Sequence, residues 1–452
     1  MKIQALSKIL ILGIAFSLFS CGDDEVPEVL PTQNIVELAQ ANGFNSLAAA
    51  LTRADLIDTF TGAGSYTVFA PTDAAFTALL AAIGQSSVDD VPVSVLTEIL
   101  KYHVVGSKVL SGDIADGDVA TLEGTMVALS TAGGITVNGV NVISPFDVEA
   151  TNGVIHTIDQ VLVPASVAQF VDTVLEPAYF NVNFSTLISA AVKADVVSLL
   201  LTTPNLTIFA PTNDAFIASG IDPDAVAVAT LADYLSYHVV TAKVLAADIP
   251  REATALNEDK LYFSVGTGGN FINGSTEITA VNIESGSGVV HVIDKVLVPP
   301  SGNIVETAVG LTASGEFTSL VAALQRTADE GTADQNLLTV LSGDGPFTVF
   351  APTNAAFAAL LEGSADWSTL GDIPLETLIN VLLYHVVPAR AYDKDLSGAL
   401  DTDNSIGTAL TDKSLTIDLA DGTINTDVNL TSTLNVHTSN GVIHVIDKVL
   451  LP

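Results

Sequence analysis

The chain has 452 residues, with 51 Asp and Glu against 15 Lys and Arg, and a formal net charge of −36. Beyond the first ten residues its basic side chains are scattered from Arg53 to Lys448, so no cationic stripe exists to neutralise phosphates, which excludes nucleic acid as a partner. Hydrophobic residues make up 48%, enough for several cores, which excludes wholesale disorder, and length alone suggests about three domains.

Met1 to Lys8 carries two positive charges and no acid, and Ile9 to Phe19 is almost wholly apolar. As a helix this apolar run would span about 16 Å, against about 30 Å of bilayer core, so residues 1–20 read as a secretory signal. Leu18-Phe19-Ser20-Cys21 resembles the bacterial lipoprotein cleavage box, with Cys21 as the expected lipidation site. Cys21 is also the only cysteine, which excludes disulfides and cysteine-based zinc sites. Acyl chains there would supply a membrane partner through a lipid anchor. The acidic Gly22-Asp-Asp-Glu25 run and the prolines that follow make 21–32 a tether. That acidic run resembles the export signal of bacterial surface lipoproteins, implying an outer-membrane anchor exposed at the cell surface, with a periplasm-facing placement as the alternative.

The rest is one unit written three times. Tyr66-Thr-Val-Phe-Ala-Pro-Thr-Asp-Ala-Ala-Phe76 recurs from Leu206 and from Phe347, at intervals of 140 and 141 residues. A second marker is Tyr102-His103-Val-Val, Tyr237-His238-Val-Val and Tyr384-His385-Val-Val. A third is Gly153-Val-Ile-His156, Gly288-Val-Val-His291 and Gly441-Val-Ile-His444, each followed by a similar closing run that ends at Pro164, Pro299 and Pro452. Six of the seven histidines sit in these markers, and His437 alone lies outside them. A unit this long can bury its own core, so the expected domains are 33–164, 165–299 and 300–452. The second copy opens differently over Asp172 to Asn183. The third carries an insertion: Phe317 to Phe350 is 33 residues against 25 in the other copies, and the polar surplus at Arg326 to Asn336 reads as a surface loop.

Within the first repeat, Ile35, Leu38 and Ala39, then Leu47, Ala50, Leu51, Ala54 and Ile57, follow helical spacing. Val68-Phe69-Ala70 reads as a short buried strand, Thr72 as a helix N-cap, and Pro92 as the first turn of a helix running to about His103. From Val109 onward β-branched residues alternate between glycines, a strand pattern. Helices first and strands second reads as α+β.

These blocks, closing on Asn-Gly-Val-Ile-His-x-Ile-Asp-x-Val-Leu-x-Pro, resemble the fasciclin (FAS1) domain family over about residues 33–452. The resemblance implies three tandem α+β domains, each a wedge-shaped β-sandwich with a helical layer. It also implies a cell-surface or secreted adhesion protein that binds matrix, a surface protein or a polysaccharide. The alternatives are a scaffold lipoprotein of the envelope and, less well supported, a small-ligand-binding protein.

The family's Tyr-His segment is linked to receptor binding, which makes Tyr102, His103, Tyr237, His238, Tyr384 and His385 candidate partner-binding residues. The bland reading is that they pack at a helix end, the histidine locking the next strand by hydrogen bonds. Some relatives use an Asp-Ile pair before the third marker as an adhesive motif; Asp147-Val148 stands there, which makes Asp147 a further candidate partner-binding residue, but Asn282 and Asn435 replace the acid in the other copies. The two marker histidines of each repeat lie 53, 53 and 59 residues apart, without zinc-ligand spacing. Asp113 to Asp118 and Asp401-x-Asp403-x-Ser405 space oxygen ligands closely, yet Ile406 stands where a calcium loop needs glycine. No nucleophile elbow, phosphate loop or dinucleotide fingerprint occurs, so no metal, no cofactor and no enzymatic activity are expected.

Overall fold

The computed structural model describes residues 31–266, 269–399, 404–418 and 420–452. The signal segment, Cys21, the acidic run after it, Asp401 and Asp403 lie outside the described residues. Among the described residues no helix is long and apolar enough to cross a membrane.

The first repeat opens with helices Ile35–Ala41, Asn45–Arg53 and Ile57–Thr61, reaches strand Tyr66–Pro71, and returns to helices Asp73–Ala82 and Val93–Tyr102 before the remaining strands. Thr72 caps its helix by accepting the Ala75 N–H at 3.1 Å, and Thr212 and Thr353 do the same in their repeats. Strand Tyr66–Pro71 pairs in parallel with Gly153–Ile158, so the first and third markers are neighbours inside the sheet, second and third from one edge. This pair is covered on both faces, which is why both segments are buried almost continuously rather than at alternate positions, their polar Thr67, His156 and Thr157 included. Val68, Ala70 and Ile155 turn toward the helices, whereas Phe69 and Ile158 join Val127, Leu129 and Val137 in a second core. Two cores, helix on sheet and sheet on sheet, make each repeat a layered α+β body. Gly153 permits the central pairing: a Cβ there would stand 2.2 Å from the Tyr66 carbonyl oxygen, and Gly441 faces Phe347 in the same way.

The first two repeats each hold a seven-stranded sheet of matching order. In the third, the long strand that runs Val140–Ala150 in the first repeat is broken into Val428–Asn429 and Val436–Thr438, and two four-stranded sheets result. The third repeat's surplus is not the surface loop its polarity suggested. It lengthens a helix, Thr318–Glu330, to 13 residues against 9 in Asn45–Arg53, and adds a short turn. Thr327 on that helix is fully buried and accepts the Leu337 N–H at 3.0 Å, while Arg326 donates to the carbonyls of Leu370 and Ile373. In the second repeat the unmatched opening forms the short helix Glu176–Tyr179, and Val174 takes the place against the third-marker glycine that Ile35 and Ile304 fill elsewhere.

The link after Pro164 is not a break in packing. Helix Ala165–Ala168 starts at once and packs on Val93–Tyr102, Ser166 Oγ donates to Glu98 at 3.0 Å, and the apolar core runs continuously from the first repeat into the second. Phe170 stacks on Tyr179 with ring centroids 3.6 Å apart within that core. The third repeat has cores of its own.

Candidate functional site

The Tyr-His residues are buried in all three repeats. His103 Nδ1 lies 2.7 Å from the Ile99 carbonyl of its own helix, and its Nε2 lies 2.9 Å from the Leu162 N–H in the closing run. A carbonyl only accepts and an amide N–H only donates, so the ring carries its proton on Nδ1. His238 binds Tyr234 and Leu297 in the same way, and His385 binds Val381 and Leu450. Each histidine therefore staples the end of its repeat to the end of the preceding helix. Burial lowers all three from 6.5 to about 4, outweighing the carbonyl bonds that oppose it, so they are neutral near pH 7.

The tyrosine hydroxyls hold hairpins. Tyr102 donates to the Met126 carbonyl at 3.1 Å and accepts from Asn138 Nδ2 at 2.8 Å. Tyr237 pairs with Lys260 and Asn273, and Tyr384 with Ser414 and Asn425. Each asparagine sits at φ near +50° in a tight turn, with its side chain folded back onto the opposing strand. Sequence reasoning passed over these asparagines; the Asn138-Gly139 and Asn273-Gly274 dipeptides were the available signal. Tyr237 alone has a further partner, His437 Nε2 of the third repeat at 3.2 Å.

The histidines of the third marker are fasteners of a second kind. His156 Nε2 lies 2.8 Å from the Val109 carbonyl, and its Nδ1 accepts the Asp147 N–H at 3.4 Å. His291 and His444 reach Val244 and Ala391, and accept from Asn282 and Asn435. Asp147 has φ +55°, with Asn282 and Asn435 close to the same value, and its carboxylate accepts the Ser111 N–H at 2.6 Å and the Ser111 hydroxyl. Burial tends to raise that carboxyl, but the Ser111 bonds outweigh it and hold Asp147 below its ordinary range. The first marker is consumed similarly: Thr67 Oγ1 donates to the Ser107 carbonyl at 2.6 Å and accepts the Val109 N–H at 2.9 Å.

Elsewhere among the described residues, Tyr237, Tyr392 and His437 come together at the joint between the second and third repeats. No group of three or more His, Cys, Asp or Glu among the described residues could hold a metal ion. Asp116 is occupied by the Thr131 N–H and hydroxyl. A cleft of about 420 Å³ opens where the second and third repeats meet, beside Asn273, Lys295, Pro299, Thr307 and His437. No Asp or Glu is among its lining residues, and the Nζ of Lys295 donates to the Ser275 carbonyl at 2.8 Å.

The family model for the fasciclin domain matches residues 42–164, 182–299 and 315–452. Similar proteins include pig transforming growth factor-beta-induced protein ig-h3, 29% identical over 93% of this chain and 57% of its own length. Human periostin is 27% identical over 90% of this chain and 46% of its own length. The chain thus spans about half the length of these two relatives. Protein sll1483 of Synechocystis is 43% identical over 29% of this chain and 73% of its own length. A solved FAS1 domain pair from the insect cell adhesion molecule fasciclin I aligns with TM-score 0.30 and 18% identity, over 60% of this chain and 97% of that one.

Proposed function

Because the chain belongs to the fasciclin domain family, we propose that it is an exported adhesion protein whose repeats bind an extracellular matrix, a surface protein or a polysaccharide. In this reading acyl chains at Cys21 anchor it to the outer membrane, and the acidic tether carries the repeats to the cell surface. The observation that carries a non-catalytic, adhesive reading is that all six marker histidines are held by hydrogen bonds inside the fold, leaving the outer surfaces as what the repeats offer. The Tyr-His pairs then serve recognition by positioning. Their hydroxyls fix the Asn138-Gly139 and Asn425-Thr426 turns, of which Asn138, Gly139 and Thr426 are exposed. Weak sites repeated on one tethered chain reinforce one another through effective concentration. A net charge of −36 repels acidic polysaccharides, which favours neutral or basic partners.

The test is a binding array of glycans and matrix proteins probed with the Cys21→Ser chain. Saturable binding to neutral or basic targets is expected. Binding to none of them would overturn the adhesive reading.

A further inference from the structure

We propose that the third repeat is a dedicated docking partner of the second, through a key of Arg390, Tyr392 and His437 that fits a face built around Tyr262, Phe271 and Gly274. The key is visible by comparing the copies position by position. Counting from the Tyr-His marker, Arg390 stands where the others have Lys108 and Lys243, and Tyr392 where they have Leu110 and Leu245. Counting back from the third marker, His437 replaces Glu149 and Glu284. In the first two repeats the Lys and Glu form a half-exposed surface ion pair, Lys108 with Glu149 and Lys243 with Glu284. The third repeat has given up that pair on this face.

The receiving face is altered as well. Ala128, Tyr262 and Thr416 are equivalent, since each donates its N–H to the turn asparagine of its own hairpin. Phe271, two residues before Asn273, matches Thr136 and Thr423. The second repeat alone therefore has aromatic side chains at both positions. The Arg390 guanidinium lies over the Tyr262 ring, 4.0 Å from its centroid, and Lys394 lies over Phe271 at 5.3 Å. Ser264 Oγ donates to Asp395 at 2.8 Å, and Asn435 Nδ2 donates to the Gly274 carbonyl at 3.1 Å. Tyr392 packs so closely on the turn that a Cβ at Gly274 would stand 2.5 Å from its ring, whereas the equivalent Gly139 faces open space.

The polar chain across the joint has one consistent direction. Tyr237 already donates to the Lys260 carbonyl, so it accepts from His437 Nε2–H, and the Tyr392 hydroxyl, 2.8 Å away, donates to His437 Nδ1. A neutral imidazole suits this place. A glutamate here would face two tyrosine hydroxyls, while Arg390, the cation that stands in the lysine's place, is turned to the Thr438, Ser439 and Gly441 carbonyls and to the Tyr262 ring. Burial, with Arg390 adding to it, lowers His437 to about 3, so the neutral form persists through the range from pH 5 to pH 8. Docking buries the second repeat's Asn273-Gly274 turn, while Asn138 and Gly139 in the first stay exposed. The docking holds whether or not the chain adheres to anything.

The test uses the whole Cys21→Ser chain with a protease site inserted between Ser301 and Gly302. After cutting, the third repeat is expected to co-elute with the first two on size exclusion at micromolar concentration. Arg390→Lys with His437→Glu restores the ion pair of the other copies and gives up bonds that Arg390 donates to the Thr438, Ser439 and Gly441 carbonyls of its own repeat, so the repeat should still melt cooperatively, at a somewhat lower temperature, yet separate after cutting. Tyr262→Ala, which installs the first repeat's residue on the opposite face, should also separate. Dissociation of the cut wild-type chain, or co-elution of either variant as tightly as wild type, would overturn the proposal.

Discussion

His103 joins the Ile99 carbonyl and the Leu162 N–H, so His103→Ala leaves that N–H buried without a partner. The expected cost is about 2–3 kcal/mol, read as a lower melting temperature; unchanged stability would contradict the fastening role. The same burial makes the repeats acid-sensitive. His103, His238 and His385 fall from an ordinary 6.5 to about 4, so the folded chain binds fewer protons than the unfolded one between those values. Their contribution is complete above about pH 6.5 and is lost as pH falls toward 4, by about 2 kcal/mol per histidine at pH 5. Melting curves at pH 7.5 and pH 5 should show the drop, and a transition unmoved by acid would contradict it. The Tyr-His pairs were legible as markers because they recur. Their partners Asn138, Asn273 and Asn425 were not, because the spacing from tyrosine lengthens in the third repeat and a turn asparagine looks like any other in sequence.

Helix starts follow directly from local chemistry. Thr72, Thr212 and Thr353 each cap a helix after the same Ala-Pro pair, so alanine should cost about 1 kcal/mol, read in the joint transition of the first two repeats for Thr72 and Thr212 and in that of the third for Thr353. The hairpin turns give the opposite prediction. Thr426 holds φ +74°, where the other repeats have Gly139 and Gly274. A β-branched residue is strained there, so Thr426→Gly should stabilise the third repeat by up to about 1 kcal/mol, measurable by hydrogen exchange on the hairpin. The order of helices and strands was legible from periodicity because each segment's pattern is decided by its own neighbours. The lengthened helix Thr318–Glu330 was not. Its buried Thr327 and its Arg326, which reaches across to two carbonyls, read as polar surface when tertiary partners are unknown.

Across the whole molecule the two joints differ in kind. The first and second repeats are fused through a continuous apolar core, and the third is set against the second by aromatic and hydrogen-bonded contacts. Threefold repetition showed how many bodies to expect. It concealed how they meet, because substitutions such as Lys243 against Arg390 look like drift until the faces are brought together. Fusion of the first two repeats predicts that they melt in one transition, with the third separable in calorimetry; three independent transitions would contradict a continuous core. The most direct test of a lipid-moored adhesive is retention of intact cells on matrix-coated surfaces, comparing the wild-type chain with Cys21→Ser. Retention by wild-type cells that external protease abolishes, and its loss with Cys21→Ser as the chain passes into the medium, is the predicted result. Equal retention by both strains, or a Cys21→Ser chain still held in the membrane, would contradict it.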